Sequence, residues 1–228
     1  MAHVVITGAN RGIGLEMARI AIDRGDQVTA TARRPAESDA LQSLGEKGGL
    51  VTVALDVTDE ESIAAFGMAV DRPVDLAVLN AGVMNGYGSI DSGDHDLAAW
   101  RDVLLTNVAG PYLTAKALLP HLKATEKARI AIVSSKMGSS AHASGNAIAY
   151  RASKAAASNL AVNLAAALKG DGIAVGAYHP GWVRTDMGGE DADISPEESA
   201  KGLMRRFDAL DLDRSGVFET YDGTRLAF

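Results

Sequence analysis

Tyr150 and Lys154 stand four residues apart at the head of an alanine- and leucine-rich run, residues 147–170 (AIAYRASKAAASNLAVNLAAALKG). That composition favours helix, and positions i and i+4 share one helix face, so a phenol and an ammonium lie side by side near a helix N-terminus. A free tyrosine ionises near pH 10. A neighbouring cation favours the phenolate and tunes the group for proton exchange with an alcohol or carbonyl oxygen. The same spacing occurs in many helices that do no chemistry, so the pair acquires meaning from what accompanies it.

A second chemical feature opens the chain. Residues 3–7 (HVVIT) form a short β-branched run that leads into Thr7-Gly8-Ala9-Asn10-Arg11-Gly12-Ile13-Gly14. Glycines at 8, 12 and 14 let the backbone turn tightly and approach a diphosphate, while the helix that follows offers its N-terminal amides to the anion. The spacing is G-x3-G-x-G rather than G-x-G-x-x-G. A strand–glycine–helix turn with no ligand is the plain alternative. Its place at the start of a βαβ unit supports a dinucleotide cofactor.

Strand-like and helix-like segments alternate along the chain to position these groups. Strands are predicted at 3–7, 27–32, 50–55, 74–79, 129–133 and 173–178, with a short last strand at 216–220. Helical spacing covers 13–23, 37–46, 60–70, 97–107, 111–125 and the 147–170 run. Asp59 precedes Glu60 and Glu61, and Ser195 precedes Pro196, Glu197 and Glu198; both are helix starts by their capping residues and first-turn acids. Nearly continuous apolar strands alternating with helices imply a parallel sheet covered on both faces. Right-handed crossovers make it a doubly wound α/β sheet of the Rossmann type, with seven strands and its ligand site at their carboxyl ends. No repeat, low-complexity segment or linker divides the chain, so residues 1–228 are expected to form a single domain.

Composition narrows the function. The net charge is −7, and no Lys/Arg block offers a footprint for a nucleic-acid backbone. There is no cysteine, which removes thiolate chemistry and cysteine metal sites. The opening MAHVVITGAN lacks the basic stretch, apolar run and cleavage site of a secretory signal, and no run of about 18 apolar residues spans a membrane. A cytoplasmic protein is the expectation. His3, His95, His121, His142 and His179 show no paired metal-ligand spacing, so no metal is expected. Asp211-x-Asp213-x-Ser215-Gly216 with Asp222 imitates a calcium loop, but only GTRLAF remains where an exiting helix would be needed, and the segment reads as a turn into an edge strand.

The motifs, taken together, resemble the short-chain dehydrogenase/reductase family. TGANRGIG, Asn80-Ala81-Gly82 after the fourth strand, Asn107 in TNVAG, Ser135 after the fifth strand, Tyr150-x-x-x-Lys154 and Pro180-Gly181-Trp182-Val183-Arg184-Thr185 occur in that family's order. SSKMGS, YRASKAA, HPGWVRTDMGG and SGVFETYDG are similar to its C-factor-like branch. The resemblance implies that Tyr150 is the general acid/base, that Lys154 lowers its pKa and holds the nicotinamide ribose, and that Asn107 supports a water linking Lys154 to solvent. It further implies that Thr185 bonds the carboxamide, that Asn80 lines the cofactor groove and that Asp56, followed by Val57, contacts adenine. The plain alternatives are a helix-bend residue for Asn107 and a turn acid for Asp56. Ser135 would orient the substrate oxygen, although it lies 15 residues before Tyr150 where the family more often has 13; Ser134 and Ser139 compete for the role.

The second strand ends Thr31-Ala32-Arg33-Arg34, with no acid at its tip to accept from a ribose hydroxyl. Arg33, with Arg11 from the glycine loop, suits a 2′-phosphate, which favours NADP(H) over NAD(H); solvated arginines are the alternative. The substrate wall is expected from the segment after Gly82, the loop 137–143 and residues 182–193, with the chain's substrate loop at about 184–195. Met84, Tyr87, Met137, Trp182 and Met187 would make its interior apolar. Asp186, Glu190, Asp191 and Asp193 argue for a small neutral carbonyl or alcohol over a polyanionic carrier. The family resemblance also implies a homodimer or homotetramer, with the alanine-rich face of 152–168 as a contact. A cofactor-binding sensor or signalling protein with little turnover is the competing function.

Overall fold

Apolar β-branched runs separated by capped helices assemble into one parallel sheet in the computed structural model, which describes residues 1–228. In chain order the elements are β1 (His3–Ile6), α1 (Gly12–Asp23), β2 (Gln27–Ala32), α2 (Asp39–Gly45), β3 (Leu50–Ala54), α3 (Glu60–Ala69) and β4 (Leu76–Leu79). Then follow α4 (Leu97–Leu104), α5 (Gly110–Leu122), β5 (Arg129–Val133), α6 (Ile148–Leu168), β6 (Ala174–His179), α7 (Pro196–Asp208) and β7 (Val217–Thr220). The seven strands run in the order β3-β2-β1-β4-β5-β6-β7, every pair parallel. This is the doubly wound Rossmann arrangement the sequence predicts.

The period of two along each strand divides the core. Val5, Ala77, Leu79, Ile130, Ile132 and Val175 face α3, α5 and α6, where Phe66, Leu118 and Ala161 meet them. Val4, Ile6, Val78, Val133 and Tyr178 face the opposite way, toward Met17, Leu41, Leu203 and Phe207 of α1, α2 and α7. Tyr178 and Phe207 pack edge to face with centroids 4.9 Å apart. The Asp59 carboxylate accepts from the Glu61 and Ser62 amides at 2.8 and 3.1 Å, and Ser195 Oγ accepts from Glu198 N at 3.1 Å. Both predicted helix starts are therefore capped.

Two predicted helices have different bounds. The run 37–46 is a 3₁₀ turn, Pro35–Glu37, followed by α2, because Ser38 breaks it to cap the Leu41 amide. The pair 97–107 and 111–125 is one helical course that widens into a π turn at Leu105–Ala109. Pro111 has no N–H to give the Asn107 carbonyl, and Gly110 N bonds instead to Leu105 O, five residues back. The expected helix boundary is a distortion that carries Asn107.

Candidate active site

The carboxyl ends of the strands frame a cleft of about 1540 Å³, which straddles the switch point between β1 and β4. Its floor is the glycine loop. Gly8 has φ +64°, which a side chain would strain, and a Cβ on Gly14 would come within 2.7 Å of Asn80 Nδ2. Asn80 Nδ2 in turn donates to the Thr7 and Gly8 carbonyls at 2.9 and 3.1 Å, and Thr7 Oγ1 accepts from the Asn80 and Ala81 amides. These bonds join the end of β1 to the end of β4 and hold the loop open. The first turn of α1 has neither a side-chain cap nor an acidic residue, so its free amides point at the cleft with nothing to neutralise them.

Gly8, Asn10, Arg11, Gly12, Ile13, Gly14, Arg33, Asp56, Val57, Asn80, Ala81 and Gly82 line the cleft, with Tyr150, Lys154, Pro180 and Thr185 at its other end. Gly181 and Val183 do not. Gly181, at φ +90°, turns against Ile194 and Tyr221, and Val183 is buried beside Ile194. Thr185 stands over the glycine loop, its Cγ2 3.3 Å from where a Gly12 Cβ would lie. Its hydroxyl donates to Val183 O and accepts from Gly188 N, within its own turn. Asp56 accepts from the Thr58 hydroxyl and amide at 2.7 and 2.9 Å, and the hydroxyl bond chiefly holds its carboxyl below the usual range. At the tip of β2, Arg34 pairs with Glu37, whereas Arg33 forms no ion pair. Arg11 pairs with Asp186 across the mouth of the cleft.

Tyr150 and Lys154 lie on the first turns of α6, 7% and 5% exposed. Lys154 Nζ donates to the Val133 carbonyl at 2.9 Å and sits 5.6 Å from the Tyr150 ring centroid. Burial lowers its pKa to about 8. An ammonium carries three donors, and this one spends a single proton on the protein. Burial pushes the Tyr150 phenol up to about 12, the Ser135 hydroxyl beside it pulls the other way, and the Tyr87 phenol adds to the rise. The three serines separate by geometry. Ser134 Oγ is turned into α6, bonded to Lys154 O at 2.9 Å and Ser158 Oγ at 2.7 Å, and Ser139 Oγ caps a short turn at Ala141. Ser135 Oγ likewise caps a short turn, accepting from Met137 N at 3.2 Å, but it is the one of the three beside the phenol.

Asn107 stands one layer behind. Its Oδ1 accepts from Val83 N at 2.9 Å, and its Nδ2 donates to Val83 O and Ser153 Oγ at 2.9 and 3.0 Å. A Cβ on Gly82 would lie 3.2 Å from Asn107 Oδ1 and 3.5 Å from Lys154 Nζ, so that glycine alone separates the amide from the ammonium. No group of three or more His, Asp or Glu side chains gathers to hold a metal ion.

The short chain dehydrogenase family model matches residues 2–194. The chain belongs to the short-chain dehydrogenase/reductase family. This dehydrogenase/reductase is similar to the 1-hydroxy-2-glutathionyl-2-methyl-3-butene dehydrogenase of Rhodococcus sp. (strain AD45), at 35% identity over 99% of each chain. It is also similar to C-signal of Myxococcus xanthus, at 39% identity over 68% of this chain and 92% of that one. The NADPH-bound carbonyl reductase from chicken fatty liver superposes with a TM-score of 0.92 at 33% identity, covering 100% of this chain and 99% of that chain. The fold and family make the protein an oxidoreductase of this class, and no helix is long and apolar enough to cross a membrane.

Sequence reasoning missed several residues of this dehydrogenase/reductase cleft. Ser38 Oγ donates to Asn10 O at 3.2 Å and ties the segment after β2 to the glycine loop, and Thr106 lines the far wall from the π turn. Ser38 lies in no motif, whereas Thr106 is the first residue of TNVAG and Thr7 the first of TGANRGIG, so both of those hydroxyls were within reach.

Proposed function

We propose that this dehydrogenase/reductase exchanges hydride between NADP(H) and a carbonyl carbon or its alcohol, with Tyr150 as general acid/base. One observation carries the reading: the Tyr150 phenol is buried at the end of a dinucleotide-sized cleft, beside the Ser135 hydroxyl and with the Lys154 ammonium 5.6 Å from its ring centroid. The glycine loop, the bare first turn of α1 and the two unspent Lys154 donors fit a nicotinamide dinucleotide. When bound, that cofactor supplies or accepts the hydride.

The chain's own residues do the rest. In reduction, Ser135 Oγ holds the substrate oxygen beside the phenol, and Tyr150 Oη gives it a proton. With its pKa pushed up to about 12, Tyr150 is protonated at neutral pH and ready to act as the acid. In the reverse direction the phenolate takes the proton, helped by the Lys154 charge. Lys154 would hold the ribose with the donors left over from Val133, while Asn107, through Val83 and Ser153, sets the wall behind it. Thr185 would serve the carboxamide, and Asp56 and Val57 the adenine.

Arg33, unpaired at the tip of β2, supports NADP(H) over NAD(H), as does the NADPH bound to the chicken carbonyl reductase. Arg11 joins it once released from Asp186. The apolar Met84, Tyr87, Met137, Trp182 and Met187, with the acids of 186–193, favour a small neutral aldehyde, ketone or alcohol. The active form is a homodimer or homotetramer in the cytoplasm. Nothing in the site favours a non-catalytic sensor, since Tyr150, Lys154 and Ser135 are all in place.

Titration with NADPH and NADH, followed by the fluorescence of Trp100 and Trp182, tests the cofactor. Tight NADPH and weak NADH binding are expected; the reverse preference overturns the reading of Arg33. An aldehyde and ketone panel with NADPH tests the reaction, with Tyr150→Phe as the control. Turnover that survives this substitution unchanged removes Tyr150 from the mechanism.

A further inference from the structure

Arg151 follows Tyr150 directly, and its guanidinium makes no ion pair. It is filled instead by carbonyl oxygens of one loop. Nε donates to Asn146 O at 2.9 Å, Nη1 to His142 O at 2.8 Å and Met137 O at 3.3 Å, and Nη2 to Asn146 Oδ1 at 3.2 Å. That loop, residues 136–146, runs from Ser135 back to Tyr150. Its first turn rests on α6, where a Cβ on Gly138 would lie 2.5 Å from Ala155 N and 2.8 Å from Lys154 O. Beyond that turn the loop is exposed from Ser140 to Asn146, and every hydrogen bond joining 140–146 to residues outside the loop comes from Arg151.

The helix end offers no other clamp. Ala147 enters α6 at φ +49°, in the left-handed region, without a side-chain cap. Its amide is held only by the Tyr87 and Gly88 carbonyls, at 3.3 and 3.2 Å, on the segment after β4. A long exposed loop closed on a strained, uncapped helix start drifts unless something ties it, and here the tie is a planar fork with five donors.

We propose that Arg151 is a positioning residue for the carbonyl reaction: by binding Met137, His142 and Asn146 it fixes the Ser135–Tyr150 spacing and the substrate wall built on the loop. This rests on the reading of Tyr150 and Ser135 given above. Arg151 touches neither substrate nor cofactor. It acts through the loop backbone, and its donor geometry matters more than its charge.

The test compares Arg151→Met and Arg151→Gln with the wild-type chain in NADPH affinity, steady-state kinetics and the pH profile of alcohol oxidation. The phenol is faced by Ser135, Tyr87 and Lys154. Loss of the Ser135 contact raises the phenol pKa, and oxidation needs the phenolate, so the acid limb moves to higher pH. Arg151→Met is expected to keep NADPH affinity within about twofold, lose at least about tenfold in kcat and show that shift. Arg151→Gln, which restores two donors without the charge, is expected to recover part of kcat. A kcat and pH limb equal to wild type overturns the proposal, and so does a loss of kcat that tracks NADPH affinity and thermal midpoint while the limb stays fixed. If the wild-type chain turns over no carbonyl, the reductase reading is what fails. Arg151 is then judged by limited proteolysis within 140–146: faster nicking in Arg151→Met supports the tie, and equal rates overturn it.

Discussion

At Tyr150 two forces oppose each other. Burial drives the phenol up to about 12, while the Ser135 hydroxyl favours ionisation. Tyr150→Phe keeps the ring that fills the site and removes the only proton it can give. We expect kcat for carbonyl reduction to fall by about 10²- to 10⁴-fold with NADPH affinity unchanged, measured by single-turnover kinetics and fluorescence titration. Lys154→Met should instead weaken both steps, because in the proposed mechanism Nζ serves the phenol and the ribose together; an unchanged NADPH affinity would leave it only an electrostatic role. These two residues were legible in the sequence because four-residue spacing in a strong helix is a local signal. The glycine loop was legible for the same reason. Ser135 was favoured in the sequence over Ser134 and Ser139 on its place at the strand end, but its surroundings were not legible there, since which way each hydroxyl turns is set by packing against α6. The pairing of Arg11 with Asp186 joins residues 175 positions apart and leaves no local trace.

Among the elements, the π turn at Leu105–Ala109 and the end of β6 bear most on the site. Asn107 laces the π turn to the segment after β4 and to α6 through three hydrogen bonds. Asn107→Ala leaves the Val83 amide and carbonyl unpaired, at a cost of about 1–3 kcal/mol. For a chain of this size that lowers Tm by several degrees, roughly 2–4 °C per kcal/mol, and a scan that finds no change would deny Asn107 its structural part. Sequence alone predicts two helical patterns, 97–107 and 111–125; the structure joins them through a wider turn at Leu105–Ala109, next to Pro111, which has no N–H to give. At the end of β6, His179 is buried with Nδ1 unpartnered, and burial lowers its pKa to about 4. Above pH 6.5 the imidazole is neutral in both states. As pH falls from 6.5 toward 4, the unfolded chain takes up a proton that the folded one refuses, so stability is lost across that window, by about 3 kcal/mol at most. His179→Gln should flatten the denaturant midpoint between pH 6.5 and 4; a slope equal to wild type would assign the acid sensitivity to other groups.

For the molecule as a whole, strand alternation predicts the doubly wound sheet because a parallel sheet buried on both faces leaves continuous apolar runs that no exposed strand would carry. What the runs do not encode is which outer helix face the proposed oligomer would use. On α6 the inward positions Ala157, Ala161 and Ala165 pack on the sheet, while Ala152, Ala155, Asn159, Val162 and Ala166 face outward in helical spacing. On the neighbouring α4–α5 course Leu104, Leu105 and Tyr112 are also exposed. Small residues on a helix face allow close approach of a second helix, and large exposed apolar side chains beside them gain from being covered. Packing of this surface against its copy about a twofold axis buries both sets at once, and a patch that meets itself closes into a dimer rather than a filament. Light scattering at working concentration is expected to give at least twice the chain mass of 23.7 kDa. Val162→Glu places a carboxylate opposite its own copy near that axis, where like charges repel and neither is solvated, and should shift the population toward monomer. Val162 lies on the outside of α6, away from the Tyr150 turn and the sheet, so NADPH affinity should survive in the monomer. If the mass stays that of the assembled wild type, the contact lies on another face; if the wild-type chain is itself monomeric, these helices are simply solvent-facing.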